Sequence, residues 1–313
     1  MTSKTPPSPK SSVRARAWLL PAVVAATLLA GVARAEEPAP TPQEVLVRER
    51  AGAVVSVKMT LNISFTMRGS LQENESNQTT TGVVVDARGL VMVPAELFSP
   101  NIPSRFRAMI DDLKVVPSGL RVVFPGDPKE YAAILGAKDS KLGLAFLLIK
   151  DLEGRSVSAL DLGRQATPRL GDTLYGVSRL GQDFDHAPIC SPARVVAAIT
   201  RPRTCWALDD AGRFGAEPLY TVEGAVAGVV VQQEGVGEEA DTQVCLLPLG
   251  IVESTIERSM QAAERALEDT LAAEAEAAAA ADSPEAASGE GDAPADGEAP
   301  EDAGDGEGAD GNG

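Results

Sequence analysis

The sequence is 313 residues long, carries 45 Asp and Glu against 28 Lys and Arg, and has a formal net charge of −17. It has no basic stripe, which argues against a nucleic-acid partner. One histidine and three dispersed cysteines (Cys190, Cys205 and Cys245) argue against a zinc site, and nothing in the pattern implies another metal or a cofactor.

The N-terminus reads as an export signal. Lys4, Lys10, Arg14 and Arg16 precede an apolar run from Trp18 to Val32, and Ala33-Arg34-Ala35 is a small-x-small cleavage site. Residues 1–35 are therefore expected to be removed and the remainder to be periplasmic or extracellular. The alternative is an uncut membrane anchor, the one reading that makes the membrane a partner. The run is short for a span and contains Pro21, which favours cleavage. Without the five Lys and Arg of residues 1–35 the charge is −22, and leaving out the fifteen acids after Arg265 brings it to about −7, ordinary for a soluble domain. An oxidising compartment permits one disulfide. Cys190 and Cys205 are the nearer pair, but spacing does not fix the pairing, and three buried thiols fit equally well.

Residues 36–50 read as a Pro-rich linker and short helix, with Thr41 as N-cap and Pro42 in the first turn. From residue 51 to 255 the pattern changes to short β-rich runs: 54–61, 82–85, 91–93, 120–124, 132–137, 144–149, 173–177, 193–199, 219–222, 225–231 and 244–248. Turn residues punctuate them, as expected of a barrel or sandwich. Two stretches break the rhythm. The polar residues 71–81 are expected to form a solvent loop. In residues 99–117, Ile102, Phe106, Met109, Ile110 and Leu113 have helix-like spacing and predict a short helix or packed loop. Ile251, Ile256, Met260, Ala263 and Leu267 place one apolar face on a helix over 248–271, with residues 256–281 as a helical extension. Residues 282–313 are Gly, Ala, Pro, Asp and Glu with nothing sizeable to bury, so a disordered acidic tail is expected.

Three segments, in order, carry a resemblance. They are TGVVVDARGLVMV (81–93); VVF (122–124) with YAAILG (131–136) and DSKLGLAFLLI (139–149); and PLYTVEGAVAGV (218–229). Together, over roughly residues 50–255, they resemble trypsin-like serine proteases of the bacterial HtrA/Deg type. The resemblance implies an all-β fold of two six-stranded antiparallel β-barrels. It also implies where a Ser-His-Asp relay should stand, and there this chain departs from the family. Pro94-Ala95-Glu96 puts Glu96 at the histidine position. Gly143-Leu144-Ala145 puts Gly143 at the aspartate position. Gly212 to Leu219 (GRFGAEPL) puts Gly215 at the serine position. Gly215 has no hydroxyl for a base to activate, and the carboxylate of Glu217 in the oxyanion loop would oppose a developing negative charge.

The resemblance thus implies a catalytically inactive protease homologue, an exported binding or scaffold protein that takes an extended peptide segment in the cleft between barrels by strand addition. Two alternatives stand beside it. One is an active serine endopeptidase with a displaced triad, built on His186 with Asp183 or Asp185 and a serine such as Ser191. The other is a structural or interaction protein of the cell envelope. For His186 the plainer expectation is an exposed loop residue.

Overall fold

The computed structural model describes residues 39–67, 69–98, 111–201, 203–234 and 242–281. Helix α1 (Pro42–Arg50) opens with a reciprocal cap: Thr41 Oγ1 accepts from the Glu44 N–H at 3.3 Å, and Glu44 Oε2 accepts from the Thr41 N–H at 2.6 Å. Its one buried side chain, Leu46, anchors the helix in the apolar seam described below.

Twelve strands follow. They are β1 (Val54–Met67), β2 (Ser70–Asp86), β3 (Leu90–Pro94), β4 (Asp111–Val123), β5 (Glu130–Asp139), β6 (Leu144–Ile149), β7 (Thr173–Arg179), β8 (Pro188–Ile199), β9 (Cys205–Leu208), β10 (Pro218–Tyr220), β11 (Val226–Glu234) and β12 (Thr242–Leu247). They close into two six-stranded antiparallel barrels with one repeated order, β1-β2-β3-β6-β5-β4 and β7-β8-β9-β12-β11-β10. This is the architecture expected of a trypsin-like fold.

Strand periodicity sorts the side chains. Val55, Val57, Met59 and Leu61 of β1 point into barrel 1 with Val84, Val93, Val122 and Leu147. Leu174, Val195, Leu219, Val230 and Leu246 fill barrel 2. The intervening residues of the same strands, among them Val54, Val83, Leu90, Phe146, Val177 and Val229, meet in a third cluster that spans both barrels. A fully buried aliphatic side chain contributes roughly 1.5–3 kcal/mol, so this seam supplies the larger part of what holds the barrels together.

Helix α2 (Leu249–Ala281) lies over β5, β6 and β11 and buries Val252, Ile256, Met260 and Ala263 in the seam. The approach at Ala263 is close enough that a Cβ on Gly136 would stand 2.2 Å from its Cβ. Among the described residues no helix is long and apolar enough to cross a membrane.

Two expectations are corrected. Residues 71–81 are not a loop: they belong to β2 and pair without interruption from Val54↔Val83 to Met67↔Ser70. Residues 111–117 are not helical: they begin β4, which pairs with β1 from Ser56↔Val123 to Thr66↔Asp111. Residues 99–110 of that segment lie outside the described residues. The three strands form an arm projecting from barrel 1. Both of its faces are largely solvated, so its polar sequence lacks the apolar alternation that marks a half-buried strand.

Candidate functional site

The three aligned positions come together at the seam. Glu96 lies in the single 3₁₀ turn after β3 (Ala95–Phe98), Gly143 in the turn before β6, and Gly215 in the loop before β10. The Ala95 N–H donates to the Gly143 carbonyl at 3.0 Å. The Pro94 ring packs against Gly215, where an added Cβ would stand 2.6 Å from Pro94 Cγ.

Each position is also closed to the chemistry it would need. Gly143 has a φ of +73°, a left-handed conformation that side chains resist, and a Cβ there would meet the Gln232 carbonyl oxygen at 2.8 Å. An aspartate therefore requires β11 to move. A serine at 215 requires the Pro94 ring to move. Glu96 is half-buried, and desolvation raises its carboxyl above the ordinary carboxylate range.

Glu217 turns back into the loop. It is 3 % exposed. Its Oε2 accepts from the Gly215 N–H at 2.5 Å, and its Oε1 accepts from the Ser178 hydroxyl at 3.1 Å. Ser178 Oγ in turn lies 3.3 Å from Thr81 Oγ1 on barrel 1. Burial pushes the Glu217 carboxyl up, against the opposing pull of the Gly215 N–H, its own N–H and Ser178. The sequence reading placed a carboxylate against a developing oxyanion. The geometry is more specific: the carboxylate itself takes the backbone N–H of Gly215.

Beside this loop is a groove of about 310 Å³ between the barrels, lined by Thr79, Thr80, Thr81, Ser178, Arg179 and Ser191, among others. Arg179 spans the seam. Its guanidinium donates to the carbonyls of Val54 (2.7 Å), Ala51 (2.5 Å) and His186 (2.9 Å), and it has no carboxylate partner among the described residues. Burial lowers its pKa.

His186 has a hydroxyl partner, but not the expected one. Its Nδ1 lies 3.0 Å from the Oγ of Ser56 on β1, a residue 130 positions away. Ser191 lines the groove without bonding the ring. Asp183 and Asp185 are exposed, and among the described residues no carboxylate bonds His186. Both Asp185 (φ +52°) and His186 (φ +50°) are left-handed, which folds the turn after Gln182–Phe184 over β1. Ser56 itself is 6 % exposed. The pair therefore lacks an orienting acid and open access to the nucleophile. Sequence reasoning missed Ser56, because nothing local to β1 marks it.

None of the three cysteines is joined in a disulfide. Cys205 and Cys245 are fully buried in neighbouring strands of barrel 2, and Cys190 is partly exposed. Burial, then the adjacent Cys205 thiol, pushes Cys245 up to about 12. Among the described residues no group of three His, Cys, Asp or Glu side chains is placed to hold a metal ion.

No protein-family model and no curated protein matches this sequence.

Proposed function

We propose that this chain is an exported, catalytically inactive relative of HtrA-type trypsin-like proteases, which binds an extended polypeptide segment in the groove between its barrels. The reading rests above all on Glu217. Its carboxylate occupies the Gly215 N–H that would otherwise be offered to a tetrahedral intermediate, and it does so beside a residue without a side chain. The double-barrel fold and the steric closure of positions 143 and 215 support the same reading. The groove retains the strand backbone of Thr79–Thr81 and the hydroxyl side chains of Thr79, Thr80, Thr81, Ser178 and Ser191, groups suited to a main-chain partner rather than to bond cleavage.

The test is retention without cleavage. Unfolded casein incubated with the mature protein should co-elute with it intact, and Ser191→Trp, which fills the groove, should abolish co-elution. Casein fragments, or retention unchanged by Ser191→Trp, would contradict the proposal.

One observation favours a second reading. The Ser56–His186 contact is a hydroxyl–imidazole pair of the kind a displaced endopeptidase site requires. The burial of Ser56 and the lack of a carboxylate on the ring weigh against it. Covalent labelling of Ser56 separates the two readings.

A further inference from the structure

A second cluster lies away from the seam groove. Between the β5–β6 turn and the first half of α2 is an open groove of about 470 Å³, lined by Lys138, Ser140, Lys141, Thr255, Arg258 and Ser259. Arg203 joins it, donating from Nη2 to the Lys141 carbonyl at 2.7 Å. The one acid in the lining is Asp139, whose Oδ1 accepts from the backbone N–H groups of Lys141 (3.1 Å) and Leu142 (3.0 Å).

Some basic side chains elsewhere sit on carboxylates: Lys58 on Glu130, Lys129 on Glu153, Lys150 on Glu274, and Arg88 on Asp86 and Glu264. Among the described residues Lys141, Arg203 and Arg258 have no ion pair. The Arg258 guanidinium is held by its own helix, with Nε donating to the Ser254 carbonyl and Nη2 to Thr255 Oγ1. At Lys141, Arg203 and Arg258 the groove therefore gathers positive charge that no carboxylate among the described residues pairs.

We infer that this groove is the docking surface for the chain's own acidic C-terminal segment, residues 282–313. That segment holds eleven Asp and Glu and no Lys or Arg. Its reach fits. From Ala262, the last α2 residue lining the groove, to the end of the helix at Ala281 is about 28 Å at 1.5 Å per residue. As a flexible coil a segment of 32 residues has a root-mean-square span of about 31 Å, which the repulsion of its eleven acids extends. A tether whose span matches the distance gives the highest effective concentration, on the order of millimolar. Even weak single pairings between carboxylates and Lys141, Arg203 or Arg258 then add up to a bound tail. The contact is electrostatic and partly exposed, so salt weakens it.

Carbodiimide cross-linking of the full-length protein tests this directly, since it joins only amines and carboxylates in contact. Linked peptides should connect Lys138 or Lys141 to carboxylates of residues 282–313 within one chain. Their yield should exceed that at the exposed-arm lysine Lys114 by about tenfold, and should fall to the Lys114 level in about 1 M salt, where the Debye length is about 3 Å. Lys141→Gln with Arg258→Gln should reduce tail linkage at Lys138 while leaving the circular dichroism unchanged. Equal linkage at Lys114 and Lys141, linkage indifferent to salt, or linkage found only between chains would overturn the inference.

Discussion

The Pro94 ring occupies the space that a side chain on Gly215 would need: a Cβ there would lie 2.6 Å from Pro94 Cγ. These residues come from different barrels, so the obstruction belongs to the packing of the seam and not to one loop. Introducing the relay residues of HtrA-type proteases should therefore not create their chemistry. Gly215→Ser alone should cost about 1–3 kcal/mol through overpacking. Gly143→Asp should cost at least as much, since it adds a left-handed side chain to a 2.8 Å clash with the Gln232 carbonyl. Urea unfolding measures both. Combined with Glu96→His they should give no ester hydrolysis above the parent.

Acidity at Glu217 gives a signed pH effect. Burial raises this carboxyl above its ordinary value of 4.5. The folded chain then holds a proton that the unfolded chain releases, so the stability contributed is full below about pH 4.5 and is lost as pH rises through the folded value. Glu96 shifts in the same direction by burial alone. Glu217→Gln keeps an acceptor for the Gly215 N–H and a donor for Ser178 without the charge. Its unfolding free energy should fall less than that of the parent between about pH 5 and 8. Parallel curves for the two proteins would contradict the assignment.

Arg179 is expected to be structural. It bridges Val54 of barrel 1, and Ala51 in the turn just before β1, to the His186 turn of barrel 2. Arg179→Met leaves three carbonyls without this donor and should cost about 1–3 kcal/mol. Lys in its place should recover only a part, because one ammonium does not reproduce the planar fork. Chemical denaturation of the three proteins gives the ranking.

Thiol counting checks barrel 2. In the native protein one cysteine, Cys190, should react with Ellman's reagent, and slowly, because burial raises its pKa as well. In denaturant all three should react. One reactive thiol in denaturant would mean that two of the three are joined in a disulfide.

The barrels were legible in sequence where a strand has one wet and one dry face, or two dry ones. Val54 to Leu61, Gly82 to Val85 and Leu144 to Ile149 announce themselves by alternation or by an unbroken apolar run. The arm was not. Residues 71–81 are strand because β1 pairs with them along their whole length, while their own side chains face water. Backbone pairing leaves no mark on hydropathy. The approximate places of Glu96, Gly143 and Gly215 could be read from flanking motifs, but the Pro94 and Gln232 contacts that seal them could not. The Ser56–His186 pair is a contact between barrels, 130 residues apart, and no local pattern encodes it.

On the proposed reading, no nucleophile among the described residues is activated for attack. Intact mass spectrometry after exposure of the native protein to a fluorophosphonate tests it most directly. The account predicts an unchanged mass. A single adduct on Ser56, lost in both Ser56→Ala and His186→Ala, would contradict it.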